Sequence, residues 1–269
     1  MSKSSTFPPL VALVTALLLI ALEDLGAEAL FHIPKGESDF SCQHLGHEIA
    51  ECDLCSHKWL FVLSAGRSGS TTILQMLNQH PLIQLSGEHQ GQMNSLKEVE
   101  TDMFTTSRHP GDAWKHEKIA TNHFYCFIQR WYFLHAGKSC GGNIIHGFKE
   151  IRYNKESMLK FIKKVFPCSK IVLNYRRDVG AIKQSRRKWF HGKGAQSRDL
   201  DKQVQSLQKF HEDRLKFKDT FLMPLEDFSK EKFNALLRWV GIKGCNYTDV
   251  LHENHDGYKP DHRSVLKCA

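Results

Sequence analysis

A run of small and polar residues from Ser64 to Ser70, Ser-Ala-Gly-Arg-Ser-Gly-Ser, has the composition of a loop that binds phosphate. Serine and glycine leave room for backbone N–H groups to close around an anion, and arginine adds a full positive charge. The apolar run 59–63 before the loop predicts a buried strand, and apolar residues at helical spacing after it predict a helix. The candidate phosphate ligands are Gly66, Arg67, Ser68, Gly69, Ser70 and Thr71.

The order of strand, glycine-rich loop and helix also occurs in nucleotide kinases and other NTPases, which are the alternative. Their loop requires the spacing Gly-x-x-x-x-Gly-Lys-Ser/Thr, with lysine directly after the second glycine. Here the two glycines are Gly66 and Gly69, and Ser70 stands in the lysine position. The spacing therefore disfavours a kinase and predicts a phosphate loop whose cation is Arg67.

A second set of residues suited to phosphate lies at a later strand-to-helix junction. Arg176 and Arg177 follow a predicted strand that begins at Lys170, and Ser185 comes eight residues after Arg177 in the predicted helix. An arginine fork engages phosphate through two N–H groups, and a hydroxyl completes the contact. Arg176 and Arg177 both stay open as the arginine that would bind an anion at this junction.

Candidate acid–base residues follow another predicted strand, Leu82–Leu85. Glu88 and His89 come just beyond it. The carboxyl ends of parallel strands meet at one edge of an open α/β sheet, where such sheets bind their ligands. Glu88 is therefore a candidate general base near the phosphate loop, and His89 is the alternative base. A further predicted strand, Asn143–Ile151, carries Lys149 near its end.

These motifs resemble those of the PAPS-dependent sulfotransferases, where PAPS is 3′-phosphoadenosine-5′-phosphosulfate. Their phosphate loop has the order basic-Ser-Gly-Ser/Thr-Thr, which residues 67–71 match, and arginine in the basic position is typical of Golgi carbohydrate and tyrosylprotein sulfotransferases. The family binds the 3′-phosphate of PAPS with an arginine at a strand end and a serine eight residues on, as in Arg177 and Ser185. Its usual Arg-Asp-Pro is Arg177-Asp178-Val179 here.

The resemblance also implies chemical roles. Glu88 corresponds to the catalytic glutamate that several sugar sulfotransferases place after the loop-helix, and it would take the proton of the acceptor. Lys149 would lie near the bridging oxygen of the leaving phosphate, and Arg67 would stabilise the charge that develops there. PAPS is the implied co-substrate, and no metal is required.

The elements that must position these residues alternate along the chain. Strands are predicted near residues 59, 82, 144, 170 and 219, and helices separate them. This alternation predicts an α/β fold with a mostly parallel five-stranded sheet and helices on both faces. The resemblance implies the same architecture, the P-loop-like sulfotransferase fold. The polar stretch Ser95–Glu117 is expected to be an irregular surface segment.

Residues 1–29 have the pattern of a secretory targeting segment. Lys3 precedes the apolar run Pro8–Leu22, and residues 27–29 supply a small-x-small sequence. A cleaved signal peptide and a short signal anchor both stay open, because the run is shorter than the ~20 apolar residues that usually span a membrane. Residues 30–269 are expected to form a single sulfotransferase domain.

The formal net charge of +8, with 16 histidines left uncounted, indicates an anionic partner. A nucleotide donor with several phosphates fits this charge, and so does a polyanionic acceptor. Nucleic acid is disfavoured as a partner by the secretory leader. The expected function is sulfuryl transfer from PAPS to a hydroxyl, foremost on a carbohydrate, in the Golgi lumen. The alternatives are a nucleotide-dependent kinase and a non-catalytic secreted protein that binds anions or heparin.

Eight cysteines behind a secretory leader favour disulfides, with the connectivity left open. The segment 42–57 also carries cysteines and histidines at zinc-like spacing, including Cys52-x-x-Cys55. A second Cys-x-x-Cys pair is missing, so disulfides are favoured over a zinc site. The sequence Asn246-Tyr247-Thr248 is an acceptor for N-glycosylation, which fits a lumenal surface.

Overall fold

The computed structural model describes residues 52–106, 121–136, 143–189, 200–214, 219–251 and 263–269, all within one unit that spans His44–Ala269. The strands are β1 (Lys58–Ser64), β2 (Ile83–Ser86), β3 (Ile145–Glu150), β4 (Lys170–Asn174), β5 (Thr220–Leu222), β6 (Cys245–Tyr247) and β7 (Leu266–Cys268). The helices are α1 (Ser70–Asn78), α2 (Gln92–Thr106), α3 (Thr121–Ala136), α4 (Glu156–Val165), α5 (Val179–Trp189), α6 (Leu200–Arg214) and α7 (Lys230–Val240), and Leu225–Asp227 form a 3-10 turn.

Five strands form one parallel sheet in the order β2-β3-β1-β4-β5. The central strand β1 has every residue after Lys58 buried, because it is covered on both faces. Phe61 lies opposite Phe148 of β3, and Val62 lies opposite Val172 of β4. The predicted α/β fold and its five strands are confirmed.

The alternating side chains of the sheet build two separate cores. One includes Phe61 and Leu63 and is packed against α2, α3, α4 and α6. The other includes Leu60 and Val62 and is packed against α1 and α7. Since successive residues of a strand point to opposite faces, helices cover both faces of the sheet, as the sequence predicted.

Glycine is required in β3 where two strands approach closely. A Cβ atom added at Gly147 would lie 1.7 Å from the carbonyl oxygen of Leu60 in the neighbouring strand. The absence of a side chain therefore lets β3 pair with β1 and continue to its carboxyl end. That end carries Lys149 and Glu150.

The expectation for Ser95–Glu117 is wrong over its first part, because α2 occupies Gln92–Thr106. Met93 is fully buried in this helix, and Glu100 is also buried, where it accepts a hydrogen bond from the hydroxyl of Tyr125 in α3. A hydrophobic pattern does not reveal a buried acid that is bonded to a phenol, so this helix was not predicted. Residues 107–117 lie outside the described residues.

Three disulfides confirm the prediction for the described cysteines: Cys52–Cys126, Cys55–Cys168 and Cys245–Cys268. Cys52 and Cys55 bond to different partners, so these two sulfurs do not share a zinc ion. Cys42, Cys140 and the predicted leader 1–29 lie outside the described residues. Within the described ranges, no helix is long and apolar enough to cross a membrane.

Candidate functional site

The loop between β1 and α1 has a tightly turned backbone. Gly66, Arg67 and Gly69 all have positive φ angles, of 72°, 55° and 80°. Glycine adopts this conformation readily, whereas an arginine does so only where the surrounding structure enforces it. A Cβ atom on Gly69 would also lie 2.7 Å from Leu225 Cδ1 and 2.8 Å from Phe228 Cε2. Packing against the 3-10 turn and the backbone angle therefore both require glycine at this position.

Two serines of the loop are fixed from inside the protein. The hydroxyl oxygens of Ser64 and Ser68 lie 2.6 Å apart, and each is within hydrogen-bonding distance of Asn174 Oδ1, at 2.9 and 2.7 Å. Asn174 Nδ2 donates to the carbonyl oxygens of Ser68 and Met223, both at 2.8 Å. Ser68 and Asn174 are fully buried. The hydroxyl of Ser68 thus holds the loop in shape. In the predicted contact of Ser68 with phosphate, the backbone N–H of Ser68 would be the donor.

Sequence analysis missed Asn174. Its signal was present, because a polar residue ends the otherwise apolar strand β4. Asn174 pairs in register with Ser64, the last residue of β1. The two strand ends therefore meet below the phosphate loop, and the amide of Asn174 ties them together.

The amino terminus of α1 offers its backbone N–H groups to an anion. Its N-cap is Gly69, which has no side chain to accept from these groups, and the first turn contains no acidic residue. Uncapped N–H groups and the helix dipole attract phosphate. Ser70, which is buried, and Thr71, which is partly exposed, begin this helix as predicted.

Arg67 links the phosphate loop to the second predicted phosphate-binding segment. Its Nε donates a hydrogen bond to Ser185 Oγ in α5 over 3.0 Å. The two residues are 118 positions apart in the chain. The structure thus brings together one predicted ligand from each of the two segments.

The paired arginines after β4 differ in their surroundings. The guanidinium of Arg177 donates to both carboxylate oxygens of Asp227, at 2.7 and 3.0 Å, and half of its side chain is exposed. The hydrogen bond from Arg177 is the main reason why the pKa of Asp227 is lowered. Arg177 therefore contacts Asp227, whereas Ser185, with which it is predicted to bind a 3′-phosphate, accepts from Arg67. Arg176 Nε is buried and has no hydrogen-bond partner in the described part of the chain.

Glu88 and Lys149 form an ion pair at the same edge. Lys149 Nζ donates to Glu88 Oε1 over 2.6 Å, and Arg152 Nη1 donates to Glu88 Oε2 over 2.9 Å. Burial alone would raise the pKa of the Glu88 carboxyl, but the hydrogen bonds and charges of Lys149 and Arg152 outweigh burial and lower it. Glu88 is therefore ionised at neutral pH and able to accept a proton.

His89, the alternative base, faces another direction. Its Nε2 lies 2.6 Å from Ser86 Oγ, and its ring packs edge-on against Tyr132 and Phe148. These contacts hold the imidazole of His89 against Ser86 of β2, Phe148 of β3 and Tyr132 of α3. Glu88 rather than His89 is the residue held beside Lys149.

A possible metal-ligand group lies elsewhere in the described residues. Ligand atoms of His80, Cys245 and Cys268 all lie within 4.8 Å of one another. The two sulfurs are joined in a disulfide, whereas the thiolate form of cysteine is the metal ligand. The group is accounted for by the disulfide that closes the β6–β7 pair.

Comparison with known proteins identifies the family. The sequence matches the model of the sulfotransferase family over residues 60–225, which include the phosphate loop, Glu88, Lys149, Arg177 and Ser185. A search of curated protein sequences gave no match.

Three solved structures with a similar fold are distant in sequence. The sulfotransferase domain of the olefin synthase of Synechococcus PCC 7002 is 14% identical, with coverage of 70% of this chain and 74% of that one and a TM-score of 0.47. A sulfotransferase from Alicyclobacillus acidocaldarius is 12% identical, with 68% and 81% coverage and a TM-score of 0.45. The sulfotransferase domain of the curacin biosynthetic pathway is 16% identical, with 70% and 75% coverage and a TM-score of 0.43. The family match covers more than half of the chain, and on that ground the chain belongs to the sulfotransferase family.

Proposed function

We propose that this protein transfers the sulfuryl group of PAPS to a hydroxyl acceptor. The observation that carries the proposal is the contact of Arg67 with Ser185, because it joins the two segments suited to the two phosphate ends of such a donor. Glu88 comes just after β2, and Lys149 lies near the end of β3, its parallel neighbour in the sheet. The ion pair of these two residues supplies the base and the cation that the reaction needs.

The residues present fit a donor with two phosphate groups. The uncapped N-terminus of α1, with Arg67, Ser70 and Thr71, would hold the 5′ side. Ser185 and an arginine after β4 would hold the 3′-phosphate. The buried Nε of Arg176 has no partner among the described residues, so an incoming phosphate oxygen would satisfy a donor that is otherwise costly to bury.

Arg177 can serve the same phosphate only by leaving Asp227. An exposed ion pair of this kind contributes little to stability, so a phosphate with two negative charges can displace the carboxylate. The two arginines therefore have distinct expected behaviour. Arg176 is ready for the ligand, and Arg177 must exchange partners.

When bound, PAPS supplies a sulfuryl group attached to a phosphate that leaves with the bonding electron pair. Glu88 takes the proton of the acceptor hydroxyl as the new oxygen–sulfur bond forms. Lys149 and Arg67 offset the negative charge that grows on the departing oxygen, where preorganised cations are most effective. Lys149 also holds Glu88 in place over 2.6 Å.

A direct binding comparison tests the proposal. We expect 3′,5′-adenosine bisphosphate to raise the melting temperature of the protein, and ATP with Mg²⁺ to leave it unchanged. Labelled sulfate should then pass from PAPS to one of a panel of hydroxyl acceptors. Stabilisation by ATP with Mg²⁺ alone would favour a nucleotide-dependent kinase. A response to heparin without a response to either nucleotide would favour a non-catalytic anion-binding protein.

We also propose that the acceptor is a carbohydrate and that the protein acts in the Golgi lumen. The basic net charge, the predicted leader and the three disulfides support this compartment.

Asn246 is exposed in β6, so its side chain is accessible for glycosylation. Expressed in a eukaryotic cell, the protein should lose mass on treatment with an N-glycosidase, and Asn246→Gln should abolish that loss. A cytosolic product with reduced cysteines would contradict the proposal.

A further inference from the structure

Glu150 is a fully buried carboxylate at the end of β3. Its Oε1 accepts from the backbone N–H groups of Ile151 and Arg152, at 2.8 and 3.2 Å, and from Arg152 Nη1 at 2.8 Å. Its Oε2 accepts from the backbone N–H of Gly91 at 3.1 Å. A charge that is removed from water is costly unless donors of this kind surround it. Glu150 is therefore a fixed anchor inside the protein.

Arg152 connects this anchor to Glu88. The same Nη1 atom that donates to Glu150 also donates to Glu88 Oε2, at 2.9 Å. Nearly half of the Arg152 side chain is exposed, with 43% of its surface accessible. Exposed ion pairs add little to stability, so the contact of Arg152 with Glu88 serves the orientation of Glu88 more than the free energy of folding.

The backbone after Glu88 is tied to the same anchor. Gln90 and Gly91 have φ angles of 52° and 82°, so the chain turns sharply just beyond Glu88. The N–H of Gly91 donates to Glu150, and a Cβ atom on Gly91 would lie 3.3 Å from Arg152 Cδ. Glu150 thus holds the backbone of the loop that contains Glu88, and Arg152 holds the carboxylate of Glu88.

We propose that Glu150 and Arg152 form a positioning unit that fixes the orientation of Glu88 toward the acceptor hydroxyl. The inference rests on the proposed function of Glu88 as the base. During transfer the O–H bond of the acceptor breaks, its proton moves to Glu88, and the acceptor oxygen bonds to sulfur while the donor phosphate departs. Lys149 and Arg152 each donate to one carboxylate oxygen of Glu88, so both oxygens are held in place while each keeps a lone pair that can accept the proton.

The charged and titratable surroundings of Glu88 determine how the unit affects pH dependence. Among the described residues, Lys149 and Arg152 contact Glu88 directly, and Arg152 also contacts Glu150. Tyr153 and Tyr132 interact with Glu150, and His89, the next residue in the chain, packs against Tyr132. Lys149 and Arg152 lower the pKa of Glu88, and burial raises the pKa of Tyr153 to about 12. The two phenols are therefore neutral where Glu88 titrates. Removing the charge of Arg152 should raise the pKa of Glu88.

The test compares Arg152→Met with Arg152→Lys in the full-length protein. We expect Arg152→Met to lower kcat roughly tenfold to a hundredfold, because small losses of alignment have effects of this size. KM for PAPS should change less than about twofold, and the acidic limb of the pH–kcat profile should move to higher pH. Arg152→Lys keeps the charge on a side chain that is one atom shorter, so it should restore the acidic limb without restoring the full kcat. A normal kcat and an unmoved limb in Arg152→Met would overturn the inference.

A second measurement separates this inference from the proposed function. The Glu88 carboxyl can be titrated by NMR in protein labelled at its glutamate carboxyl carbons, with Glu88→Gln used to assign the signal. A higher pKa in Arg152→Met in a protein that transfers no sulfate would support the unit and refute the proposed function. If the protein transfers sulfate but Arg152→Met leaves the pKa of Glu88 and kcat unchanged, the proposed function would be supported and the positioning unit refuted. Arg263→Met is the matched control, because Arg263 is an exposed arginine paired with Asp249 over 3.2 Å.

Discussion

The phosphate loop and the cluster around Glu88 lie at the same edge of one sheet, but different interactions hold them in place. The loop depends on buried, uncharged hydrogen bonds: the hydroxyls of Ser64 and Ser68 donate to Asn174, and the Asn174 amide donates to the carbonyl of Ser68. The cluster depends on charged groups, of which Glu88 is 28% exposed. Binding of the donor and transfer to the acceptor are therefore assigned to regions with different physical sensitivities.

This difference indicates what each region can tolerate. Neutral hydrogen bonds in the interior respond little to salt or pH, so the loop should keep its shape over a wide range of conditions. Charge pairs near the surface are screened by salt and are lost when a carboxylate is protonated. Since neighbouring cations lower the pKa of Glu88, the cluster loses its charge pattern only in acid below the usual range of a glutamate. Substitutions in the two regions should consequently affect different measured quantities.

The largest effect is expected from Glu88→Gln. Glutamine keeps the shape of the side chain but cannot accept a proton, so the transfer rate should fall at least about a hundredfold. Affinity for 3′,5′-adenosine bisphosphate, measured by calorimetry, should stay nearly constant, because the proposed role of Glu88 is at the acceptor and not at the donor.

His89→Gln is the control for this substitution, since His89 packs against the sheet beside Glu88. It should retain most of the transfer activity. Loss of activity in His89→Gln, with activity retained in Glu88→Gln, would reverse the assignment of the base.

A different outcome is expected from Asn174→Ala, which attacks the support of the phosphate loop. The substitution leaves buried hydroxyl and carbonyl groups without their partner, so the free energy of unfolding should fall by about 2–3 kcal/mol. Urea denaturation measures this change, and affinity for the bisphosphate should fall as well. Asn234→Ala removes an amide bonded to the backbone of Tyr247, and it should lower stability without affecting the bisphosphate. Equal losses of affinity in both variants would mean that general destabilisation, not loop support, is the cause.

Substitution of the two arginines after β4 should have an intermediate effect on binding. A charge-assisted contact contributes about 1.5–3 kcal/mol, so the arginine that binds the 3′-phosphate should weaken the bisphosphate about tenfold to a hundredfold when it is replaced by alanine. We expect Arg176→Ala to show the full loss, because its Nε has no partner in the described residues. Arg177→Ala should show a smaller loss, since Arg177 first has to leave Asp227. Binding of 5′-AMP, which lacks the 3′-phosphate, should be unchanged in both variants. An equal loss for 5′-AMP would place the substituted arginine elsewhere in the nucleotide site.

The smallest effect is expected from Ser185→Ala. The variant removes one hydroxyl that accepts from Arg67, so bisphosphate binding should weaken by about 0.5–1.5 kcal/mol. Ser185→Thr retains a hydroxyl and should bind nearly as tightly as the parent protein in the same calorimetric measurement. Unchanged affinity in Ser185→Ala would show that the contact with Arg67 is not used once the donor is bound.

Sequence periodicity and spacing determined the parts of this protein that depend on neighbours along the chain. The apolar run before the phosphate loop, the helix after it and the lack of a P-loop lysine were all local signals. The same holds for α7, whose cap Ser229 accepts from the backbone of Lys232 and whose end is Gly241 with a φ of 108°. Such features arise within one or two turns of backbone, where propensity and capping act directly.

Only the tertiary structure decided which of the predicted residues meet. Glu88 and Lys149 are 61 positions apart, and Ser68 and Asn174 are 106 positions apart. It also decided the pairing of the described cysteines, the contact of Arg177 with Asp227, and the anchoring of Arg152 on the buried Glu150. These contacts depend on how strands distant in sequence come to lie side by side, with β3 and β4 on either side of β1. A local pattern places a charge at a strand end, but the strand order determines which opposite charge it faces there.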